Sequence, residues 1–225
     1  MKRSFLLLAL VLMFSCSALA QKKAVSILGD SYSTFEGWIT PATNESWYFD
    51  VSRYGTDVVK ATDTWWYKYI KDNDCKLCVN NSYSGSTVSY TGYGKADYSE
   101  RSFLTRMSNL GCPDVIFIFG ATNDSWAGSP IGEYKYEGWT RQDFYSFRPS
   151  MAYMLSWMTQ HYPNVEIYFL LNDGLSKEVN ESVDVICAKY EVPVIKLHDI
   201  DKKNGHPTIK GMATIAAQIK EFVAR

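Results

Sequence analysis

The sequence has no run of basic residues after its first twenty positions, and its formal charges nearly cancel. Of 225 residues, 23 are Lys or Arg and 24 are Asp or Glu, which leaves a formal net charge of −1. A nucleic-acid groove or an anionic membrane surface attracts its partner through concentrated positive charge. The composition therefore argues against a nucleic-acid partner and favours a small or neutral substrate.

Long apolar segments are also missing after the first twenty residues. Two basic residues precede an apolar stretch at 5–14, and Ala18-Leu19-Ala20 has the small-x-small pattern that a signal peptidase cuts. No later segment has the roughly 20 apolar residues that a membrane-spanning helix needs. We therefore predict a signal peptide over 1–20, export of the chain, a mature domain that begins at Gln21, and no transmembrane segment in it.

Cysteine is scarce, and its spacing gives no complete metal site. Cys16 falls in the predicted leader within a loose lipoprotein acceptor pattern, so a lipid-anchored protein is the alternative to a free one. Cys75 and Cys78 form one CxxC, which leaves a redox or metal role open, but no second CxxC and no His-x-x-x-His accompanies it. On a strand, residues three apart point to opposite faces. Of the four later cysteines, which include Cys112 and Cys187, we expect at least some to be buried thiols.

Short apolar runs alternate with helical spacing along the rest of the chain. The runs predict five strands, near 24–28, 76–80, 115–119, 166–171 and 192–197. Helical character is expected at 64–71, 99–108, from about Pro149 to Met158, 179–190 and 212–223. This alternation is typical of a doubly wound parallel sheet, so we expect one three-layer α/β/α domain over 21–225, flavodoxin-like with five strands.

Two irregular stretches, 36–63 and 126–147, are rich in aromatic residues. They carry Gly, Pro and polar residues without a clear period, so we expect loops, the first of them lying over the site. Aromatic residues make up 15% of the chain. They favour either a stacking surface for a sugar or an acyl group, or the packing of long loops onto the body of the domain.

Polar residues suited to acyl transfer follow the first three predicted strands and precede the last helix. Ser31 comes just after strand one in Gly29-Asp30-Ser31, and Gly85 follows strand two. Asn123 follows strand three, and His206 precedes the last helix. Open α/β sheets bind ligands at the carboxyl ends of their strands. Acyl transfer needs a nucleophilic hydroxyl, a base for its proton and donors for the developing oxyanion, so each role has a candidate.

Four blocks follow one another in the chain: Gly29-Asp30-Ser31, Ser84-Gly85-Ser86, 120–124 and His206-Pro207. In this order they resemble the four blocks of the SGNH (GDSL-like) hydrolase family. The resemblance spans essentially the whole mature chain. It implies the SGNH hydrolase fold and a serine hydrolase that needs no metal or organic cofactor.

The resemblance also implies residue roles. Ser31 would attack an ester carbonyl with His206 as base, while the Ser31 and Gly85 N–H groups and the Asn123 amide would form the oxyanion hole. With export and the aromatic loops, we expect a secreted esterase that removes a small acyl group such as acetate from a carbohydrate.

Two positions depart from the family pattern. Tyr32 stands where Leu is usual, which changes the packing behind the nucleophile but removes no reacting atom. The acid that orients the histidine usually lies three residues before it, and this chain has Lys203 there. Asp201 is the nearest preceding carboxylate. We expect either that Asp201 completes a triad or that the site is a dyad whose ring is held by a backbone carbonyl.

Two other functions fit the same fold. A lysophospholipase or thioesterase would act on longer acyl chains. A glycan-binding protein without turnover is the alternative suggested by the missing acid.

Overall fold

The chain forms one parallel sheet from the predicted apolar runs. The structure, a computed structural model, describes residues 21–224. Its strands are β1 (Ala24–Gly29), β2 (Lys76–Ser82), β3 (Val115–Gly120), β4 (Glu166–Leu171) and β5 (Val194–Lys196). They pair in the order β2-β1-β3-β4-β5, all parallel. The strand order changes direction between β1 and β3, where a sheet of this order binds its ligands.

Side chains alternate between the two faces of the sheet and form a core on each. In β3, Phe117 joins one buried cluster while Ile116 and Ile118 join the other. All six residues of β1 and of β3 are buried, as expected for central strands covered on both faces. A fully buried side chain of this kind contributes about 1.5–3 kcal/mol.

Helices cover both faces of the sheet. Their bounds are α1 (Trp65–Asp72), α2 (Phe103–Arg106), α3 (Thr122–Ala127), α4 (Phe147–His161), α5 (Lys177–Lys189) and α6 (Ile209–Val223). Helices α1 and α6 pack together on one face, and α4 and α5 on the other. This three-layer arrangement confirms the predicted fold class. Met151, Met154 and Met158 of α4 are buried, so core packing accounts for these methionines.

Some elements differ from the prediction. The expected helix at 99–108 is reduced to the four residues of α2, which begins at the Ser102 cap. The stretch at 122–127 is helical although it carries no apolar period. A two-residue strand pair, β6 (Lys202–Lys203) and β7 (His206–Pro207), lies just before α6.

The four cysteines of the described residues are free thiols. Cys187 of α5 is buried, as expected for a core thiol, and burial raises its pKa. Cys112 is exposed, while Cys75 and Cys78 are half-buried at β2. Within residues 21–224, no group of three or more His, Cys, Asp or Glu side chains is arranged to hold a metal ion.

No helix between residues 21 and 224 is long and apolar enough to cross a bilayer. The predicted signal peptide at 1–20 and the alternative lipid acceptor Cys16 lie outside the described residues.

Candidate active site

Ser31 opens a short 3-10 turn, Ser31–Ser33, directly after β1. The Asp30 carboxylate caps this turn, because its Oδ1 accepts a hydrogen bond from the Tyr32 N–H at 3.0 Å. The side chains of Ser82 and Ser33 pack directly against the Gly29 backbone. Only glycine permits this, since a Cβ there would lie 2.5 Å from Ser82 Oγ and 2.6 Å from Ser33 Cβ. The turn therefore holds the Ser31 hydroxyl at the carboxyl edge of the sheet.

His206 contacts Ser31 through one ring nitrogen and the backbone through the other. Its Nε2 lies 2.9 Å from Ser31 Oγ, and its Nδ1 lies 3.2 Å from the Asn204 carbonyl oxygen. A carbonyl only accepts, so Nδ1 carries the proton and Nε2 offers its lone pair to the Ser31 hydroxyl. Burial lowers the pKa of His206 to about 4, helped by the nearby Lys202 cation and opposed by the Asn204 hydrogen bond. At neutral pH the imidazole is therefore uncharged, the form that accepts a proton.

Asp201, one of the two expected ways of holding the ring, does not contact the imidazole in the structure. The β6–β7 pair sets Lys203 directly across from His206. The exposed Asp201 precedes β6 and lies beside the first residues of α6. There the Asp201 carboxylate accepts a hydrogen bond from the Thr208 hydroxyl. The ring nitrogen contacts the Asn204 carbonyl instead, which is the arrangement expected for the dyad alternative.

The segment that carries His206 is tied down by two tyrosines. The Tyr32 hydroxyl donates to the Gly205 carbonyl, and the Tyr48 hydroxyl donates to the Pro207 carbonyl at 2.9 Å. Both phenols are buried. The departure from the family pattern at Tyr32 thus adds a hydrogen bond that fixes the backbone beside the base.

Aromatic rings surround the imidazole. The indole of Trp47 stacks on it with ring centroids 3.6 Å apart and planes 7° from parallel. Trp126 meets the same ring edge-on at 6.0 Å, and Tyr54 stacks on the outer side of Trp47 at 4.5 Å. The loop at 36–63, which supplies Trp47 and Tyr54, therefore overlies the site as predicted.

The candidate oxyanion donors lie after β1, β2 and β3. Gly85 has φ +75°, a left-handed conformation that favours glycine. Among residues 21–224, neither the Ser31 N–H nor the Gly85 N–H donates to a protein acceptor. The buried Asn123 amide donates to the Ser86 carbonyl at 2.9 Å through Nδ2. Its Oδ1 accepts from the Tyr93 hydroxyl at 2.8 Å, which fixes the orientation of the amide.

A buried arginine supports the Gly85 turn from beneath. Arg106 donates to the Asn81 carbonyl and, at 2.8 Å, to Ser86 Oγ. Arg106 also interacts electrostatically with the buried Asp30. Burial raises the pKa of Asp30 to about 7, although the Tyr32 N–H and Arg106 oppose this. The turns that carry Ser31 and Gly85 are therefore linked by the electrostatic interaction between Asp30 and Arg106.

The sequence analysis did not single out two residues that the structure places at the site, Trp47 and Tyr93. Each lies in an irregular loop and meets its partner across a long separation, 30 positions for Tyr93 and Asn123. Their aromatic character was the one available clue.

The whole domain matches one family. The family model described as GDSL-like Lipase/Acylhydrolase matches residues 23–223. A solved structure from Bacteroides ovatus, described as a GDSL-like lipase, is 63% identical with a TM-score of 0.90, covering 91% of this chain and 99% of its own. A second from Bacteroides uniformis, described in the same words, is 54% identical with a TM-score of 0.90 and covers 92% and 98%.

A more distant structural neighbour is a family two carbohydrate esterase from Clostridium thermocellum. It is 12% identical with a TM-score of 0.57, over 90% of this chain and 64% of its own, and was solved with cellohexaose. At this identity the likeness concerns the fold. A comparison with curated protein sequences returned no match.

Proposed function

The chain belongs to the GDSL-like lipase/acylhydrolase family, and from this premise we propose that it is a secreted serine esterase that removes a small, acetyl-type acyl group from a carbohydrate. One observation carries the proposal: the Ser31 hydroxyl lies 2.9 Å from the unprotonated ring nitrogen of His206. That contact activates a hydroxyl as a nucleophile.

The first half of the reaction acylates the serine. Ser31 Oγ attacks the ester carbonyl carbon while His206 Nε2 takes the hydroxyl proton. The oxyanion that develops accepts hydrogen bonds from the Ser31 and Gly85 N–H groups and from the Asn123 amide. His206 then gives its proton to the departing alcohol oxygen as the ester C–O bond breaks.

The second half releases the acyl group. A water molecule gives a proton to His206 and attacks the acyl-serine carbonyl at the same oxyanion position. The bond to Ser31 Oγ breaks, the proton returns to Oγ, and the carboxylic acid leaves. In both halves the imidazolium is transient and is stabilised by the Asn204 carbonyl on one nitrogen and the face of Trp47.

The surroundings of the dyad support a carbohydrate substrate. Tyr54, Tyr93 and Trp126 are exposed rings, and each contacts His206, Asn123 or a ring stacked on them. Such rings carry a large apolar face and a polar edge, which suits the mixed surface of a sugar.

The test is hydrolysis of 4-nitrophenyl acetate by the purified protein beside Ser31→Ala and His206→Ala. We expect both variants to lose about a thousandfold or more in kcat/KM, because each removes a reacting group. A fluorophosphonate probe is expected to label the wild type and not Ser31→Ala. Equal rates for wild type and Ser31→Ala would contradict the proposal.

The same assay separates the alternatives. A preference for long chains over acetate in a series of 4-nitrophenyl esters would favour a lysophospholipase or thioesterase. A wild-type protein that neither turns over acetate nor takes the probe would favour a glycan-binding protein without catalysis.

A further inference from the structure

A polar cleft of about 610 Å³ opens beside the Gly85 turn, outside the dyad itself. Its size falls in the range of small-molecule sites, about 300–1,000 Å³. The side chains that give it its character are Asn44, Tyr83, Asp97, Tyr98 and Arg101. These five side chains combine two aromatic rings with an amide, a carboxylate and a guanidinium, and Glu100 adds a second carboxylate. Together they can both accept and donate hydrogen bonds.

Arg101 is held in place within the cleft. Its guanidinium lies over the ring of Tyr98 at 4.3 Å and near that of Tyr83 at 5.1 Å. One nitrogen also lies 3.7 Å from a Glu45 carboxylate oxygen. The side chain remains 31% exposed, so its donors are ordered yet accessible to a ligand.

Tyr98 and Asp97, which also line the cleft, are fixed by contacts of their own. The Tyr98 ring lies against the backbone of Gly92, where a Cβ would come within 2.2 Å of it. Asp97 accepts from the Ser99 N–H and the Tyr145 hydroxyl, both at 2.8 Å, and the Ser99 bond is the first cause of its lowered pKa. Each carboxylate oxygen accepts one bond from the protein, which leaves further lone pairs for hydroxyl donors.

Two residues that line the cleft contact residues that support the candidate catalytic groups. The Tyr98 ring lies 6.5 Å from the ring of Tyr93, whose hydroxyl contacts Asn123. On the other side, the Tyr83 N–H donates to the Gly29 carbonyl at 3.1 Å, two residues before the nucleophile. Two residues that line the cleft, Tyr83 and Tyr98, thus each lie one contact away from a residue that supports the candidate site.

We propose that this cleft binds uncharged sugar units of a glycan chain next to the unit that carries the acyl group. The proposal rests on the proposed esterase function and names the part of its substrate that lies outside the reacting ester. Two carboxylates, Asp97 and Glu100, accompany the single Arg101, so the lining has no excess positive charge. Neutral hydroxyl-rich sugars fit this balance better than phosphorylated or carboxylated ones.

Kinetics with two substrates test the cleft. The probes are 4-nitrophenyl acetate, which is too small to fill it, and chemically acetylated cello-, xylo- and manno-oligosaccharides of four to six units. For Arg101→Gln we expect the kcat/KM on the best oligosaccharide, divided by that on 4-nitrophenyl acetate, to fall about tenfold, mainly through KM. Lys189→Gln is the matched control. Lys189 is the last residue of α5, lies outside the cleft, and has its ammonium group 4.7 Å over the Tyr136 ring. An unchanged ratio for Arg101→Gln would overturn the proposal.

Calorimetry separates binding from catalysis. Ser31→Ala is titrated with the unacetylated oligosaccharides, and the same titration is repeated with Arg101→Gln and with Asp97→Asn on that background. We expect binding that weakens about tenfold in both double variants, with circular dichroism confirming that they are folded. If Ser31→Ala binds none of the oligosaccharides, the cleft is no glycan site. A wild type that is inactive on 4-nitrophenyl acetate would instead refute the esterase function, and that outcome is distinct from the binding result.

Discussion

The indole of Trp47 lies flat on the imidazole of His206, with planes 7° apart and centroids separated by 3.6 Å. The backbone N–H of Trp47 donates to Thr34 Oγ1, whose hydroxyl donates in turn to the Ser31 carbonyl, so the stacking ring is anchored to the nucleophile's own turn. Together with the Asn204 carbonyl, this stacking orients the ring without a carboxylate. We infer that Trp47 is a positioning residue, and that packing has taken over much of the orienting role that an acid has in a triad.

Removing the stacked ring tests this inference. We expect Trp47→Leu to lower kcat about tenfold, because a mobile imidazole spends less time in line with Ser31 Oγ. The acid midpoint of the pH–kcat/KM profile is expected to rise as the imidazole regains solvent. Trp47→Phe keeps an aromatic face and serves as the matched control, with a smaller change in both measurements. A Leu variant with the wild-type midpoint would assign Trp47 a purely structural role.

The pH dependence of activity follows from the buried base. Because burial lowers the pKa of His206 to about 4, the imidazole stays neutral well below the range of a free histidine. We expect kcat/KM on a short ester to stay level down to about pH 5 and to fall through about pH 4. Circular dichroism at each pH identifies any loss caused by unfolding. A midpoint at 6.5 or above would contradict the buried, neutral base.

The same shift makes stability depend on pH. An unfolded chain has a histidine pKa of about 6.5, so between there and about 4 the unfolded state binds more protons than the folded one. Above about pH 6.5 the contribution of His206 to the free energy of unfolding is fully present. It is lost as the pH falls from there to about 4, which lowers the free energy of unfolding by about 3 kcal/mol in total. Urea unfolding of wild type and His206→Asn at several pH values isolates the His206 contribution. Buried Asp30, with its raised pKa, changes the free energy of unfolding with pH in the opposite direction, but it does so in both proteins and cancels in the comparison. Parallel curves for the two proteins would rule the shift out.

Tyr93 and Asn123 are expected to act as one unit. Asn123→Ala removes an oxyanion donor and is expected to lower kcat about a hundredfold. Tyr93→Phe removes only the hydroxyl that fixes the amide, and we expect a loss of about three- to tenfold with little change in KM. In the double variant the Tyr93 effect should vanish, since its partner is gone. Fully additive losses would mean that Tyr93 acts by another route.

Asp201 provides a negative prediction. Loss of a true triad acid lowers kcat about 10⁴-fold, whereas we expect Asp201→Ala to remain within about twofold of wild type. Its carboxylate contacts the Thr208 hydroxyl that caps α6, so a small decrease in melting temperature is the expected effect. A large loss of kcat with an unchanged melting temperature would restore the triad.

The central strands were predictable because their signals are local. β1 and β3 are short, mostly apolar runs that end at Gly29 and Gly120, as expected for strands covered on both faces. The one polar side chain inside β1, Ser26, is buried and donates to the Leu110 carbonyl at 2.7 Å. Ser31 and Asn123 were predictable for the same reason as the strands, since the end of a strand determines where the next residues lie. By contrast, α3 consists of Thr-Asn-Asp-Ser-Trp-Ala, which has no apolar stripe for a pattern to reveal.

The position of the acid could not be predicted in this way. Asn204 and Gly205, both with positive φ, form the two-residue turn between β6 and β7. Asn-Gly is a strong hairpin signal, but here the strands on either side have two residues each and no alternation of apolar and polar residues. That turn sets which backbone carbonyl meets the imidazole and which carboxylate does not. The stacking of Trp47 on His206 joins residues 159 positions apart and has no local signature at all.

The two proposed reacting groups, Ser31 and His206, are separated by 175 positions, with strands β2 to β5 between them in the chain. Their hydrogen bond can close only after β1 and the hairpin before α6 have both docked, which makes it one of the most non-local contacts in the domain. A chain in which only one of these two elements has docked contains both side chains but not the hydrogen bond between them. Under the proposed mechanism, activation of the Ser31 hydroxyl would therefore wait until both elements have docked.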